Sequence, residues 1–207
     1  MKSMIKDALI LFIITVIAGA ALGAVYMITK EPIAKAEYSA AQEAYKEVFV
    51  NAASFEEVAS AADVSTGSAS KNWSEAGFEN VSVEAVLAAK DSEGTECGYV
   101  LTMITKEGYG GDIKFTMGIS NDGTLNGISI LSISETAGLG MRAEEVLKPQ
   151  YAGKKVSSFN LTKTGAIGAN DIDAISGATI TSKAVTNAVN AGLFYFDTYL
   201  GGGNNEN

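Results

Sequence analysis

The sequence predicts an α+β fold: a single N-terminal transmembrane helix followed by one domain whose strands are enclosed by helices. Three observations lead there. An uncharged apolar run stands near the N-terminus, four strand-like runs divided by turn signals fill the middle, and an apolar stripe of helical period closes the chain. The 207 residues are 47% hydrophobic and 19% charged, with 2 prolines, which supports a real core and excludes wholesale disorder.

From Ala8 to Thr29 no residue is charged. A hydrocarbon core of about 30 Å needs about 20 such residues in a helix. Lys2 and Lys6 precede the run; Lys30, Glu31 and Pro32 follow it. Ala34-Lys35-Ala36 resembles a small-x-small cleavage site, but the run is longer than a usual signal core, so a retained anchor is expected. The leading lysines favour a cytoplasmic N-terminus, although Lys30 and Lys35 nearly balance them. Gly19 and Gly23 have the GxxxG spacing that lets a second membrane helix approach closely, a spacing also common in any Gly/Ala-rich span. The expected organisation is an anchor over 1–30, an extracytoplasmic domain over 31–200 and a mobile polar tail over 201–207.

Ala36 to Asp63 reads as helix, with Tyr38, Ala41, Tyr45, Val48 and Phe49 near one face, and Val64–Ser74 reads as loop. Strands are expected at Val81–Ala89, Gly98–Thr105, Ile113–Ile119 and Leu125–Ser132. Turn signals at Asp91–Gly94, Gly108–Gly111 and Asn121–Gly123 divide them; the last is a hairpin signal, since Asp-Gly accepts positive φ. Arg142–Leu147 reads as a short helix. Thr181–Tyr199 reads as a longer one, with Ala184, Val185, Ala188, Val189, Leu193 and Phe196 on its stripe.

Composition removes several chemistries. With 24 acids against 15 bases, a formal charge of -9, nucleic acid is not expected as a partner. There is no histidine, so His-based triads, general bases and metal sites are excluded. The single cysteine, Cys97, excludes an internal disulfide and a thiolate cluster; it reads as a small buried apolar residue. Redox chemistry on this chain would need an organic cofactor.

Three glycine-bearing segments could hold one. Gly108-Tyr109-Gly110-Gly111 offers an aromatic ring that either stacks on a ligand or fills the core. Ser134-Glu135-Thr136-Ala137-Gly138-Leu139-Gly140 sets an acid and a hydroxyl before a tight turn that can approach a flat ligand, or it is an ordinary connection with Glu135 solvated. Asp173-Ala174-Ile175-Ser176-Gly177-Ala178-Thr179 runs into the last helix. Ser176 and Thr179 both qualify there as N-caps, and Gly177 allows a tight turn. A helix N-terminus stabilises a phosphate, with Thr181 and Ser182 close by and Lys183 one turn past Thr179. Spacing alone leaves an ordinary capped helix as the commoner outcome.

Taken together, GYGGDIKFTMGISNDGTLNGISILSISETAGLG and the later DIDAISGATITS resemble the FMN-binding domain family. Within it the chain is most similar to the G subunits of Rnf electron-transport complexes, which are related to the C subunits of the sodium-pumping NADH:quinone oxidoreductase. The resemblance covers the anchor and nearly all of the domain. It implies FMN joined through its phosphate to the last threonine of a D-x-x-S/T-G-A-T motif, here Asp173, Ser176, Gly177, Ala178 and Thr179. Glu135, Thr136, Gly138, Leu139 and Gly140 match the upstream segment, where the family often has proline in place of Ala137. Tyr109, Leu139, Thr181 and Lys183 complete the expected cofactor-binding set. The implied activity is an electron relay in a membrane complex resembling a ferredoxin:NAD oxidoreductase that exports sodium ions or protons, with no complete catalytic activity in this chain alone. The implied partners are other membrane subunits, including a second flavin-bearing one, and a flavin transferase to load Thr179. The alternatives are the flavoprotein of a sodium-pumping quinone reductase or other extracytoplasmic electron-transfer chain, and a non-redox membrane-tethered scaffold.

Overall fold

A long first helix and a five-stranded antiparallel meander account for most of the regular secondary structure among the described residues. The computed structural model describes residues 2–59 and 71–201. It divides into two compact units, Met1–Ala40 and Ala41–Asn207. The expected helix and span form one element, α1 (Lys2–Val48), which contains Pro32 in its interior. Over Met4–Ile33 its apolar side chains are exposed throughout, and the helix is long and apolar enough to cross a membrane. Its hydroxyls turn back on the helix: Thr15 Oγ1 donates to Phe12 O at 2.8 Å and Thr29 Oγ1 to Val25 O at 2.9 Å. Backbone self-satisfaction of this kind suits a medium without water.

In the second unit the sheet runs β1 (Ser54–Ala59), β2 (Val81–Lys90), β3 (Glu96–Thr105), β4 (Ile113–Ser120) and β5 (Leu125–Ser132), in spatial order β1-β2-β3-β4-β5. The four expected strands are all present, each within two residues of its predicted ends. The hairpin at Asn121–Gly123 forms as expected. Gly123 has φ +84°, and the Asp122 carboxylate accepts from the Thr124 amide and hydroxyl at 3.0 and 2.9 Å.

Two expectations fail. Helix does not continue to Asp63: α1 stops at Val48, and Ser54–Ala59 pairs antiparallel with β2 as an edge strand, Phe55 opposite Ala89. Six residues of mixed polarity carry no decisive period, and the available ladder of β2 decides their state. The expected loop Val64–Ser74 holds the start of a short helix, α2 (Lys71–Glu75), while its residues 64–70 lie outside the described chain. Trp73 on α2 is fully buried and donates its indole N–H to Val81 O at 3.0 Å, against Phe78, Phe194 and Tyr195. A core position contributed from a polar, small-residue stretch leaves no periodic trace in the sequence.

After β5 come a 3₁₀ turn (Gly140–Arg142), α3 (Ala143–Val146) and α4 (Lys148–Tyr151), where one short helix was expected. Two short parallel strands follow, β6 (Asn160–Thr162) and β7 (Asp171–Asp173), then α5 (Thr179–Tyr199). Alternation along the strands separates two clusters. Leu101, Met103, Phe115 and Met117 pack with Val185, Ala188 and Val189 of α5. Val100 and Ala89, facing the other way, pack with Val48 and Phe49 at the end of α1. There Glu47 accepts from Lys148 at 2.6 Å and from Ser129 Oγ at 2.5 Å. Cys97 is half-buried, its Sγ donating to Ala89 O at 3.1 Å.

Candidate functional site

The site is assembled where β7 turns into α5. The Ala174 amide donates to Thr162 O, so the parallel pair is extended to the edge of the turn. Ile175 is buried, Gly177 adopts φ +78°, and Ala178 is the N-cap. No side chain caps the helix. This corrects the expectation for Ser176, which is exposed and makes no side-chain hydrogen bond among the described residues, and for Thr179, which is the first helical residue rather than the cap. The turn is held instead from inside the helix. Ser182 Oγ accepts from the Ile175 amide and donates to Ala178 O, both at 2.9 Å.

The consequence is an open helix end. The amides of Thr179, Ile180 and Thr181 meet no acceptor among the described residues, because the first turn has no partner within the helix and no cap supplies one. The hydroxyls of Thr179 and of Thr181, a largely buried residue, also make no hydrogen bond to a described residue. These groups border a cleft of about 530 Å³, within the usual size range of ligand sites.

Thr179, Thr181, Gly177 and Ala178 lie at one side of this cleft, together with Ile180. Glu135, Thr136, Leu139 and Gly140 lie on another, and Tyr109 on a third. The three glycine segments, remote in sequence, are therefore brought together. Asp173, Ser176, Gly138 and Lys183 do not line the cleft. Asp173 sits half-buried on β7, its amide donating to Gln150 Oε1 at 2.7 Å, and Lys183 is exposed one turn beyond Thr179. Gly138 serves through its backbone: φ +75° permits the turn in which the Leu139 and Met141 amides both donate to Thr136 O.

Besides lining the cleft, Glu135 has a task that its sequence did not suggest. Its Oε1 accepts from the amides of Tyr109 at 2.7 Å and Gly110 at 3.3 Å, which fastens the Gly108–Gly111 loop to the segment after β5. Gly140 is needed for close approach, since a Cβ there would stand 2.6 Å from Thr181 Oγ1 and 2.9 Å from Glu135 Oε2. Tyr109, Leu139 and Ile180 are 71%, 40% and 53% exposed and supply the apolar walls. Gly140, read from the sequence only as part of the Gly-Leu-Gly match, and Ile180, which carries no local signal and had no role assigned, complete the lining.

The donor set fits an anion joined to a flat apolar body. Unpaired amides and hydroxyls at a helix N-terminus suit a phosphate, and the apolar walls suit a ring system. Among the described residues no cation lines the cleft, so the helix end is the main positive element. No group of three or more acidic or cysteine ligands capable of holding a metal occurs among the described residues.

Residues 108–193 match the FMN-binding domain family, and residues 1–48 match the RnfG N-terminal region. The chain is 36% identical to the G subunit of the Na(+)-translocating ferredoxin:NAD(+) oxidoreductase complex of Acetobacterium woodii, over 93% of this chain and 91% of that one. It is 31% identical to the G subunit of an ion-translocating oxidoreductase complex of Methanosarcina acetivorans, over 97% and 98% of the two chains. A proton-translocating counterpart from Clostridium ljungdahlii is 31% identical over 90% and 88%. A crystal structure of Shewanella oneidensis NqrC superposes with a TM-score of 0.47 at 22% identity, over 56% of this chain and 59% of that one. With 88–98% of the length of such relatives matched and the FMN-binding family covering all three segments that line the cleft, this chain belongs to the RnfG family, the G subunits of Rnf-type ion-translocating oxidoreductase complexes.

Proposed function

We propose that the chain is the membrane-anchored flavoprotein of a ferredoxin:NAD-type complex, and that its FMN is carried as a phosphoester on Thr179. The observation that carries this reading is the uncapped start of α5, whose free amides lie with the Thr181 hydroxyl beside Thr179 at the edge of the cleft. FMN bound there supplies an organic centre able to exchange one or two electrons, which a chain without histidine and with one cysteine lacks. The residues of the chain do the rest. Thr179 provides the oxygen, the first turn of α5 binds the phosphate, Leu139, Ile180 and Tyr109 wall the ring, and Glu135 holds the Tyr109 loop in place.

Residues 1–30 are the anchor, with the N-terminus in the cytoplasm and the domain over 31–200 outside it. Ala8–Thr29 holds no Asp, Glu, Lys, Arg or His that could carry an ion, so the ion path belongs to other membrane subunits, among them a second flavin-bearing one. A flavin transferase loads Thr179.

The test is peptide mass spectrometry on Asp171–Lys183 from protein purified from its own host. The peptide should carry the mass of FMN less one water, with fragment ions placing the gain on Thr179, and Thr179→Val should remove it. A gain on Ser176, or flavin fully retained in Thr179→Val, overturns the attachment. Protease added to intact, wall-stripped cells should digest the domain; protection until lysis reverses the orientation.

A further inference from the structure

We propose that Glu107 and Asn187 are positioning residues for this site: their hydrogen-bonded pair ties the Tyr109 loop to α5 and thereby sets the aromatic wall of the cleft. The inference rests on the flavin reading above. Tyr109 makes no ring contact and no hydrogen bond through its phenol among the described residues, so only its backbone locates it. That backbone lies in a run of Gly108, Gly110 and Gly111, residues that leave the chain free to adopt many conformations. A loop of this composition takes a single shape only if other groups hold it.

Two carboxylates do so, one just before the loop and one in the segment after β5. Glu135 accepts the amides of Tyr109 and Gly110. Glu107, immediately before the loop, accepts from Asn187 Nδ2 through both oxygens, at 3.1 and 3.0 Å. Glu107 is itself oriented by its amide, which donates to the Oγ1 of the buried Thr105 at 3.2 Å. Asn187 stands two turns beyond Thr179 on α5. The helix that would carry the phosphate therefore also holds one foot of the loop that walls the ring. Neither Glu107 nor Asn187 lines the cleft, so they act through the loop. Gly108 has no room to change: a Cβ there would stand 2.8 Å from Glu135 Oε1.

The geometry allows a donor–acceptor exchange. Asn187→Asp puts two carboxylates face to face and breaks the pair. The double variant Glu107→Gln/Asn187→Asp restores a hydrogen bond with donor and acceptor reversed and the same total charge as wild type. Two measurements on the full-length chain read the loop. In a flavin-free Thr179→Val background, amide exchange at Tyr109–Gly111 should accelerate about tenfold or more in Asn187→Asp, the scale of losing one charge-assisted bond, and return in the double variant. In flavin-loaded protein, quenching of flavin fluorescence and the flavin midpoint potential should shift in Asn187→Asp and recover in the double variant. Glu107→Ala, which removes the acceptor without adding charge, should loosen the loop in the same way if Asn187→Asp does not fold. Unchanged exchange in the folded single variants, or a double variant as loose as Asn187→Asp, overturns the proposal. Wild-type protein without flavin on Thr179 overturns the reading of the site instead, and the exchange measurement, made without flavin, still decides the clamp.

Discussion

The two long helices, α1 and α5, are both rich in apolar residues and solve opposite problems. On α1 the apolar residues point in every direction, and Leu22 and Ile28 are 72% and 75% exposed. On α5 Val185, Ala188, Val189 and Ala191 are fully buried against the sheet. Their polar residues differ in the same way. The threonines of α1 bond to their own helix. The polar side chains of α5 reach partners outside the helix: Thr186, which also donates back to Ser182 O, meets Tyr151 at 2.8 Å, Asn190 donates to and accepts from Phe159, and Asn187 donates to Glu107. A span whose hydroxyls turn back on their own helix asks for an apolar medium and tolerates exchange of one apolar residue for another. A helix with addressed polar contacts fixes its own rotation and register, and α5 uses that rigidity to hold its open N-terminus beside the cleft.

A charge placed on each helix should separate them most. Val185→Asp buries a carboxylate without a partner and should cost about 4 kcal/mol or more, losing the cooperative melt of the domain in detergent. Ile17→Asp should leave that melt unchanged and reduce retention in membranes. Equal effects on the melt would break the distinction. Glycines sharpen it at smaller scale. A Cβ on Gly192 would collide with Met117 Sδ, whereas nothing lies within 4 Å of one on Gly19. Gly192→Ala should cost about 1–3 kcal/mol by overpacking, while Gly19→Ala leaves the domain's melting temperature where it was.

The register of α5 can be probed at its start. Ser182→Ala leaves the Ile175 amide unpaired and should cost about 1–2 kcal/mol, with reduced flavin loading at Thr179 because the turn before the helix loses its inner support. A full flavin complement in a destabilised variant would separate the turn from the site.

The smallest effect belongs to the last turn of α1, which behaves like α5. Burial of Glu47 opposes its ionisation, but hydrogen bonds from Lys148 and Ser129 outweigh it and hold the carboxyl below its ordinary pKa. A depressed pKa in the folded state means that its stabilisation is present above the ordinary carboxylate value and is lost as pH falls through the folded value. Because the pair is half-exposed, this should amount to less than about 1 kcal/mol. Thermal melts of Glu47→Gln should show a shallower loss of stability below about pH 4.5 than wild type; parallel profiles would place the acid sensitivity elsewhere.

What was legible in the sequence follows one rule. The anchor, β2 to β5 and α5 are patterns of a few neighbouring residues, and solvent acts on such patterns directly: an unbroken apolar run needs lipid, alternation needs one dry face, and a helical stripe needs a sheet to cover it. The D-x-x-S-G-A-T run was equally legible as a motif, since its glycine and hydroxyls lie side by side. The sequence by itself therefore determined the architecture and marked the segment proposed to carry the cofactor. Tertiary structure decided what local pattern cannot express. Ser54–Ala59 became a strand because β2 offered a ladder, and Trp73 entered the core because Phe78, Phe194 and Tyr195 left a place for it. Glu135 became a fastener of a loop twenty-six residues away, and Glu107 found Asn187 across eighty. A carboxylate accepts whichever donors the fold brings within about 3 Å, and which donors those are depends on the packing of the whole sheet against α5, not on any spacing along the chain.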